Sequence, residues 1–165
     1  KFDYSVSDVA ALYLINHMFN WAFASRIGAL IGRIGERRAL TFEYCGLMCV
    51  FTAYAFVDNA SWAAALYILD HLFFSLAIAI KTYFQKIADP ADMASTAGVA
   101  FTINHIAAVI IPVLFGFIWL ISPATVFLIG TSMAAISLLL ALNIPTSPCP
   151  GNEVVVGKMP AAITT

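Results

Sequence analysis

Polar side chains interrupt three long apolar runs of this sequence, and they occur as neighbours or one helical turn apart. The set comprises Asn16, Asn20, Asp70, His71, Asn104 and His105. A carboxyl or imidazole group in apolar surroundings can take up and release a proton near neutral pH. A carboxamide in the same place can bind a polar solute or a neighbouring helix. These residue types therefore predict proton or solute binding rather than covalent chemistry.

Asp70 and His71 form the sharpest of these groups. The spacing of a helix places His71 about 100° round from Asp70, so adjacency alone does not make them partners. On one interpretation they are a proton-coupling or substrate-binding pair. On the other, Asp70 is paired structurally near the membrane interface and His71 makes an unrelated polar contact. An ionised carboxylate there needs a partner or a water-filled cavity.

The other two groups have the same two interpretations. Asn16 and Asn20 are four residues apart and share a helix face, which we expect to point into a bundle of helices. His105 lies midway along its apolar run and could carry a proton, or could hydrogen-bond to a neighbouring helix with Thr102 as one candidate partner. Each group could thus line a pathway or hold helices together.

The composition indicates that lipid surrounds the elements that position these residues. The 165 residues are 62% hydrophobic and 10% charged, and no charged residue occurs between Met93 and Asn152. A bilayer crossing needs about 20 mostly apolar residues. We predict an all-α, polytopic transmembrane helix bundle over residues 1–145, followed by a mobile cytoplasmic tail over 146–165. Its five crossings lie at about 9–30, 39–57, 62–83, 94–121 and 124–144.

The distribution of basic residues predicts an orientation. Arg33, Arg37, Arg38, Lys81, Lys86 and Lys158 fall on one side of a five-helix path. Because cytoplasmic loops carry an excess of Lys and Arg, we expect an outside N-terminus and a cytoplasmic C-terminus, in the plasma membrane or the bacterial inner membrane. Trp62 and Trp119 then lie near the outer interface. An odd number of crossings with an outside N-terminus leads us to expect further helices upstream.

The connection between the first two crossings carries a recognisable motif. It reads GALIGRIGERR from Gly28 to Arg38 and resembles the GxLxDRxGRR signature of the major facilitator superfamily. The matching positions are Gly28, Leu30, Arg33, Gly35, Arg37 and Arg38. Gly32 stands where the signature has Asp, and Glu36 interrupts the basic run. We expect Gly28 and Gly32 to form a GxxxG contact between helices, and Gly35 to allow the turn.

The resemblance implies a fold and an activity. It implies helices 8 to 12 of a twelve-helix transporter, which is the C-terminal half of that fold without its first helix. The implied activity is secondary transport of a small-molecule substrate by alternating access, driven by H⁺ or another coupling ion or by the solute's own gradient. The implied partners are the bilayer and the missing N-terminal half. No cofactor is implied.

Two other function classes stay open at this point. An integral membrane enzyme could use His17, His71 and His105 with Asp70, although the sequence contains no HExxH or HxxxH motif. The second open class is a scaffold subunit of a membrane complex that does not itself transport a solute. A net charge of −1 argues against a nucleic-acid partner. We predict no metal site and no catalytic residue, and we expect the polar residues of the first, third and fourth crossings to line one cavity, with the fifth crossing outermost.

Overall fold

The predicted crossings are helices in the computed structural model, which describes residues 4–157. The helices are α1 (Val6–Ile34), α2 (Glu36–Phe56), α3 (Ala60–Phe74), α4 (Ile78–Ile87), α5 (Met93–Ile121) and α6 (Pro123–Leu142). A 3₁₀ turn, Ser75–Ala77, joins α3 and α4, so the third crossing is an interrupted helix. Across residues 4–157 no strand occurs, and Cys149 and Asn152 form an isolated bridge. The predicted all-α bundle is confirmed.

Four of the five long helical segments are apolar enough to cross a membrane by themselves. They are α2, the α3–α4 rod, α5 and α6, with 20 to 29 residues each. Helix α1 has 29 residues and is long enough, but it is more polar than the others. Its polar positions include Asn16, His17, Asn20, Arg26 and Arg33. The structure thus supports a polytopic helical bundle.

The helices alternate in direction, which gives the bundle two distinct ends. The first end holds the start of α1, the α2–α3 connection and the α5–α6 connection, and Tyr4 donates a hydrogen bond to the Ala60 carbonyl there. We call this the cavity end. The second, which we call the basic end, holds the α1–α2 turn, the α4–α5 connection and residues 143–157. Its Glu36 and Lys86 form an ion pair of 2.6 Å.

Side-chain caps start the helices at the cavity end. Ser5 and Asp8 form a capping box, with the Asp8 amide 3.2 Å from Ser5 Oγ and the Ser5 amide 3.0 Å from Asp8 Oδ2. Hydrogen bonds from the Ser5 hydroxyl and amide hold the pKa of Asp8 below its usual value. Asn59 Oδ1 accepts from the amides of Ser61 and Trp62 at the start of α3. The caps explain why helices begin at these residues.

The connection between α1 and α2 is a single residue, not the predicted loop IGRIGERR. Gly35 has φ +84° and ψ 155°, a conformation that only glycine adopts without strain. Its amide still bonds to the Ile31 carbonyl at 2.9 Å. Gly28, Gly32 and Arg33 therefore lie in α1, while Arg37 and Arg38 lie in the first turn of α2. The expectation that Gly35 makes the turn is confirmed.

The expected GxxxG contact is not formed within the described chain. A Cβ atom added at Gly28 or Gly32 would meet no other atom within 4 Å. Close helix packing occurs instead at two glycines outside the motif, Gly46 and Gly130. Gly46 of α2 lies under the ring of Phe73, and Gly130 of α6 faces the ring of Phe51, 3.3 Å from the position of an added Cβ. The GxxxG spacing alone was misleading because it does not say which helix face is covered.

Helix α2 is the centre of the bundle. It packs against α6 most extensively and also contacts α1, α3 and α4. Small residues make the α2–α6 contact possible, and the Thr52 and Thr131 hydroxyls lie 3.3 Å apart across it. Helix α5 packs chiefly on α6 and has no buried residue. Within residues 4–157, the fifth crossing, α6, is thus covered by α2, whereas α5 is largely uncovered. The expectation that the fifth crossing lies outermost in a complete transporter stays a prediction.

The segment after α6 folds against the basic end instead of extending freely. Of the predicted mobile tail, residues 146–157 are described and 158–165, with Lys158, lie outside the described residues. Asn143 bonds to the Val155 amide at 2.8 Å and, through its side chain, to the Val156 amide and carbonyl at 2.6 and 3.1 Å. The Tyr83 hydroxyl donates to the Glu153 carbonyl at 2.6 Å. These bonds attach the described part of the tail to α4 and α6.

Replacement of Gly35 by Ala should destabilise the protein, because a Cβ is unfavourable at φ +84°. We expect a loss of about 1–3 kcal/mol in the free energy of unfolding, measured by thermal unfolding in detergent. The matched control is Gly28→Ala, where the added Cβ meets open space inside a helix. That variant should be no less stable than the wild type. Equal destabilisation by both substitutions would contradict the assigned turn.

Candidate functional site: an aromatic cavity above a carboxyl–imidazole pair

The largest of the best-formed cavities lies at the cavity end of the bundle. It has a volume of about 730 Å³, within the range of small-molecule sites. Helices α1, α2, α3, α5 and α6 all contribute to its wall. Five aromatic side chains dominate the wall, and we therefore call it the aromatic cavity. They are Tyr4, Tyr54, Tyr67, Trp119 and Phe127, and Leu12 lies among them.

Ring contacts hold the cavity wall together across three helices. Tyr54 of α2 stacks on Phe127 of α6, with ring centroids 4.8 Å apart and planes 13° from parallel. Trp119 of α5 meets the same Phe127 edge to face at 5.9 Å. The Tyr54 hydroxyl donates to the Ala63 carbonyl of α3 at 3.3 Å, which fixes the ring. The wall is thus preformed by packing between helices.

Asp70 and His71 lie one helical turn from the cavity, next to its lining residue Tyr67. His71 Nδ1 is 3.0 Å from the Tyr67 carbonyl and 3.5 Å from Asp70 Oδ2. The two side chains are 24% and 33% exposed, respectively, so neither is sealed inside protein. Asp70 is also within electrostatic range of the Tyr54 hydroxyl. The structure therefore brings together the pair that the sequence singled out, against the wall of the cavity.

Asn16 and Asn20 differ in burial although they share a helix face. Asn16 is 4% exposed, and its Nδ2 has no hydrogen-bond partner among the described residues. It lies one turn along α1 from Leu12 of the cavity wall, and α1 packs against α3. Asn20 is half-buried. Asn16 is thus an inward-facing amide, as predicted for a bundle-facing residue.

Asn104 and His105 lie elsewhere, on the exposed surface of α5. His105 Nδ1 is 2.9 Å from the Phe101 carbonyl of its own helix, and its ring lies 3.9 Å from the Phe101 ring. Thr102 donates to the Gly98 carbonyl at 3.0 Å and is not the partner of His105. Since α5 packs chiefly on α6, the structure does not join this group to Asp70 and His71 in one cavity.

The basic end contains one ionisable residue whose surroundings the sequence did not predict. Glu43 is 1% exposed in α2, and its Oε2 has no partner among the described residues. Arg26 lies over the Phe23 ring, 5.4 Å from its centroid. Glu36, which interrupts the motif, pairs with Lys86 and so connects the α1–α2 turn to α4.

Sequence reasoning missed the aromatic wall of the cavity. Four of its aromatic residues lie near the cavity end of their helices, namely Tyr54, Tyr67, Trp119 and Phe127. This pattern can be recognised only once the directions of the helices are known. We had interpreted Trp119 as an interfacial residue. In residues 4–157, no three His, Cys, Asp or Glu side chains lie close enough to hold a metal ion. The described site offers aromatic faces, amides, a carboxyl and an imidazole, which suit binding.

Replacement of Asn16 by Leu should leave stability unchanged or raise it, because the buried Nδ2 makes no hydrogen bond that would be lost. We expect the free energy of unfolding to stay within about 1 kcal/mol of the wild type or to exceed it. The matched control, Asn59→Leu, removes the cap of α3 and should cost about 1 kcal/mol. Thermal unfolding in detergent measures both. A larger loss for Asn16→Leu than for Asn59→Leu would show that Asn16 has a structural partner.

A comparison with known proteins gives a match to a protein of the family that the motif resembles. The chain is 28% identical over 135 residues, 81% of its length, to an uncharacterized MFS-type transporter of Methanocaldococcus jannaschii. It spans 34% of the length of that protein. No protein-family model and no solved structure matches the chain. This distant similarity points to the same family that the motif from Gly28 to Arg38 resembles.

Proposed function

We propose that this chain forms the C-terminal part, helices 8 to 12, of a secondary transporter of the major facilitator type. The observation that carries the proposal is the similarity to an MFS-type transporter over 81% of the chain. The motif from Gly28 to Arg38 spans the turn between α1 and α2, which are the first two of five crossings that alternate in direction. Such transporters move a small solute by alternating access between two halves.

Under this proposal the chain acts together with an N-terminal half. Helices α1 and α5 present long exposed apolar surfaces, with α5 lacking any buried residue. Asn104 and His105 lie on the exposed surface of α5, so they would face the other half or the pathway between the halves. Asp70, His71, Asn16 and Asn20 belong to the helices around the aromatic cavity. The substrate and an ion such as H⁺ would bind among these side chains.

The orientation follows from the two ends of the bundle. The basic end holds Arg33, Arg37, Arg38 and Lys86, which favours the cytoplasmic side. The cavity end carries Trp62 and Trp119, residues that prefer the membrane interface. We place the N-terminus of this chain outside and its C-terminus in the cytoplasm, in the plasma membrane. The aromatic cavity then lies toward the external side.

Substitution of Asp70 by Asn should impair transport by the full-length protein in proteoliposomes. We expect a screen of labelled small solutes to identify a transported one, with its initial uptake rate reduced about tenfold or more in Asp70→Asn. His105→Ala tests the second candidate. The control is Asp89→Asn, which makes the same change at an exposed loop of the basic end. Wild-type uptake in both Asp70→Asn and His105→Ala would remove these residues from the pathway.

Labelling of introduced cysteines tests the orientation. Cys45, Cys49 and Cys149 are free thiols, so they are first replaced by Ser. Single cysteines are then placed at the exposed positions Arg38 and Ser61, at opposite ends of the bundle. A membrane-impermeant maleimide should label the Ser61→Cys variant on intact cells, and the Arg38→Cys variant after permeabilisation only. Labelling of both on intact cells would rule out the proposed topology.

A further inference from the structure

The wall of the aromatic cavity offers π faces to a ligand. Among the described residues, three tyrosines, one tryptophan and one phenylalanine line it, together with apolar and small side chains but no Lys, Arg, Asp, Glu or His. Aromatic faces carry partial negative charge and attract cations that lie over them. Because Tyr54, Trp119 and Phe127 are held by contacts with one another, these faces are in place before a ligand arrives.

Within residues 4–157, the Asp, Glu, Lys and Arg residues near the cavity end are all acidic. The described acidic residues nearest the cavity end are Asp8, Asp58 and Asp70. The described Lys and Arg residues belong to the other half of the helices or to the basic end; they are Arg26, Arg33, Arg37, Arg38, Lys81 and Lys86. An anionic ligand in the cavity would lie near these carboxylates, and the described wall has no basic side chain to balance them. A cationic ligand would be attracted by the same arrangement.

The carboxylate charge of Asp70 is only partly balanced by the described residues. His71 Nδ1 lies 3.5 Å from Asp70 Oδ2, and it lies closer, at 3.0 Å, to the Tyr67 carbonyl. A proton on this nitrogen is therefore shared with a main-chain acceptor. The carboxyl group stays 24% exposed and within electrostatic range of Tyr54 in the cavity wall. A positive charge bound in the cavity would complete the pairing of Asp70.

We infer that the aromatic cavity binds an aromatic monocation, with its rings against Tyr54, Tyr67, Trp119 and Phe127 and its charge directed toward Asp70. This names the substrate class of the transporter proposed above and rests on that proposal. A volume of about 730 Å³ accommodates a compact ligand of several rings. The mainly apolar lining favours a cation whose charge is shielded by hydrocarbon over a small hydrated ion.

The test compares two probes of the same shape and opposite charge. Binding of tetraphenylphosphonium and of tetraphenylborate to the purified full-length protein in detergent is measured by equilibrium dialysis. We expect the phosphonium to bind at least about tenfold more tightly, and Asp70→Asn to remove about tenfold of that affinity while leaving the borate unaffected. Asp92→Asn, an equal charge change at an exposed position of the basic end, should bind both probes like the wild type.

Two substitutions of one wall residue separate the ring from the hydroxyl. Tyr54→Phe keeps the ring that stacks on Phe127 but loses the hydroxyl bond to the Ala63 carbonyl, so it should weaken phosphonium binding less than Tyr54→Leu does. Tyr54→Leu removes the ring and should weaken binding about fivefold. Phe127→Leu gives a second ring deletion in case Tyr54→Leu does not fold, as judged by gel filtration. Equal affinity for both probes, or unchanged phosphonium binding in Asp70→Asn, would overturn the inference.

Binding and transport fail separately in this design. Phosphonium binding that depends on Asp70, without phosphonium uptake into proteoliposomes, would support the cavity as a cation site and contradict the proposed transport. Uptake of another solute by a protein that does not bind phosphonium would support transport and overturn the cation inference.

Discussion

Hydrocarbon offers no hydrogen-bond partner to a peptide group, and this constraint decides the shape of the chain. Each backbone amide and carbonyl in the membrane must be satisfied within its own helix. The chain therefore crosses in long helices and reverses in as few residues as possible. Gly35 alone connects α1 to α2, and Ser122 alone separates α5 from α6. Positive φ at Gly35 and the Ser122 cap make these short reversals possible.

The same solvent explains why small residues, rather than the most apolar ones, decide which helices touch. Lipid tails are as apolar as leucine, so burying leucine between helices gains little. Close packing gains more, and it occurs where Gly46 meets Phe73 and Gly130 meets Phe51. Helix α2 consequently lies at the centre, although it is not the most apolar helix. Helix α5, free of charged side chains, has no buried residue in the described chain.

Because close packing rather than hydrophobicity decides which helices touch, the sequence could predict only part of the structure. Apolar segments, the basic end and the turn at Gly35 follow from local composition, and the structure confirms the helical bundle. Which helices are neighbours does not follow from hydropathy, because a lipid-facing side chain and a protein-facing one have the same polarity. Asp70 and His71 are neighbours in the chain and lie 3.5 Å apart in the structure. His105, which was expected to line the same cavity, lies on the exposed surface of α5, because its position depends on which helices are neighbours.

Both ends of the bundle are held by apolar packing together with polar contacts. At the basic end, a buried apolar cluster that includes Ile31, Leu40 and Ala79 lies beside the Glu36–Lys86 pair and the bond from the Tyr83 hydroxyl to the Glu153 carbonyl. At the cavity end, stacked rings are joined by the hydrogen bonds from the Tyr4 and Tyr54 hydroxyls to main-chain carbonyls of α3. Hydrogen bonds and ion pairs need a narrow range of distance and angle, so a small displacement breaks them. In the transport cycle proposed above, opening the basic end would therefore break the contacts of Glu36 and Tyr83. The 3₁₀ turn at Ser75–Ala77 would let the α3–α4 rod bend during that step, because its hydrogen bonding is weaker than that of an α-helix.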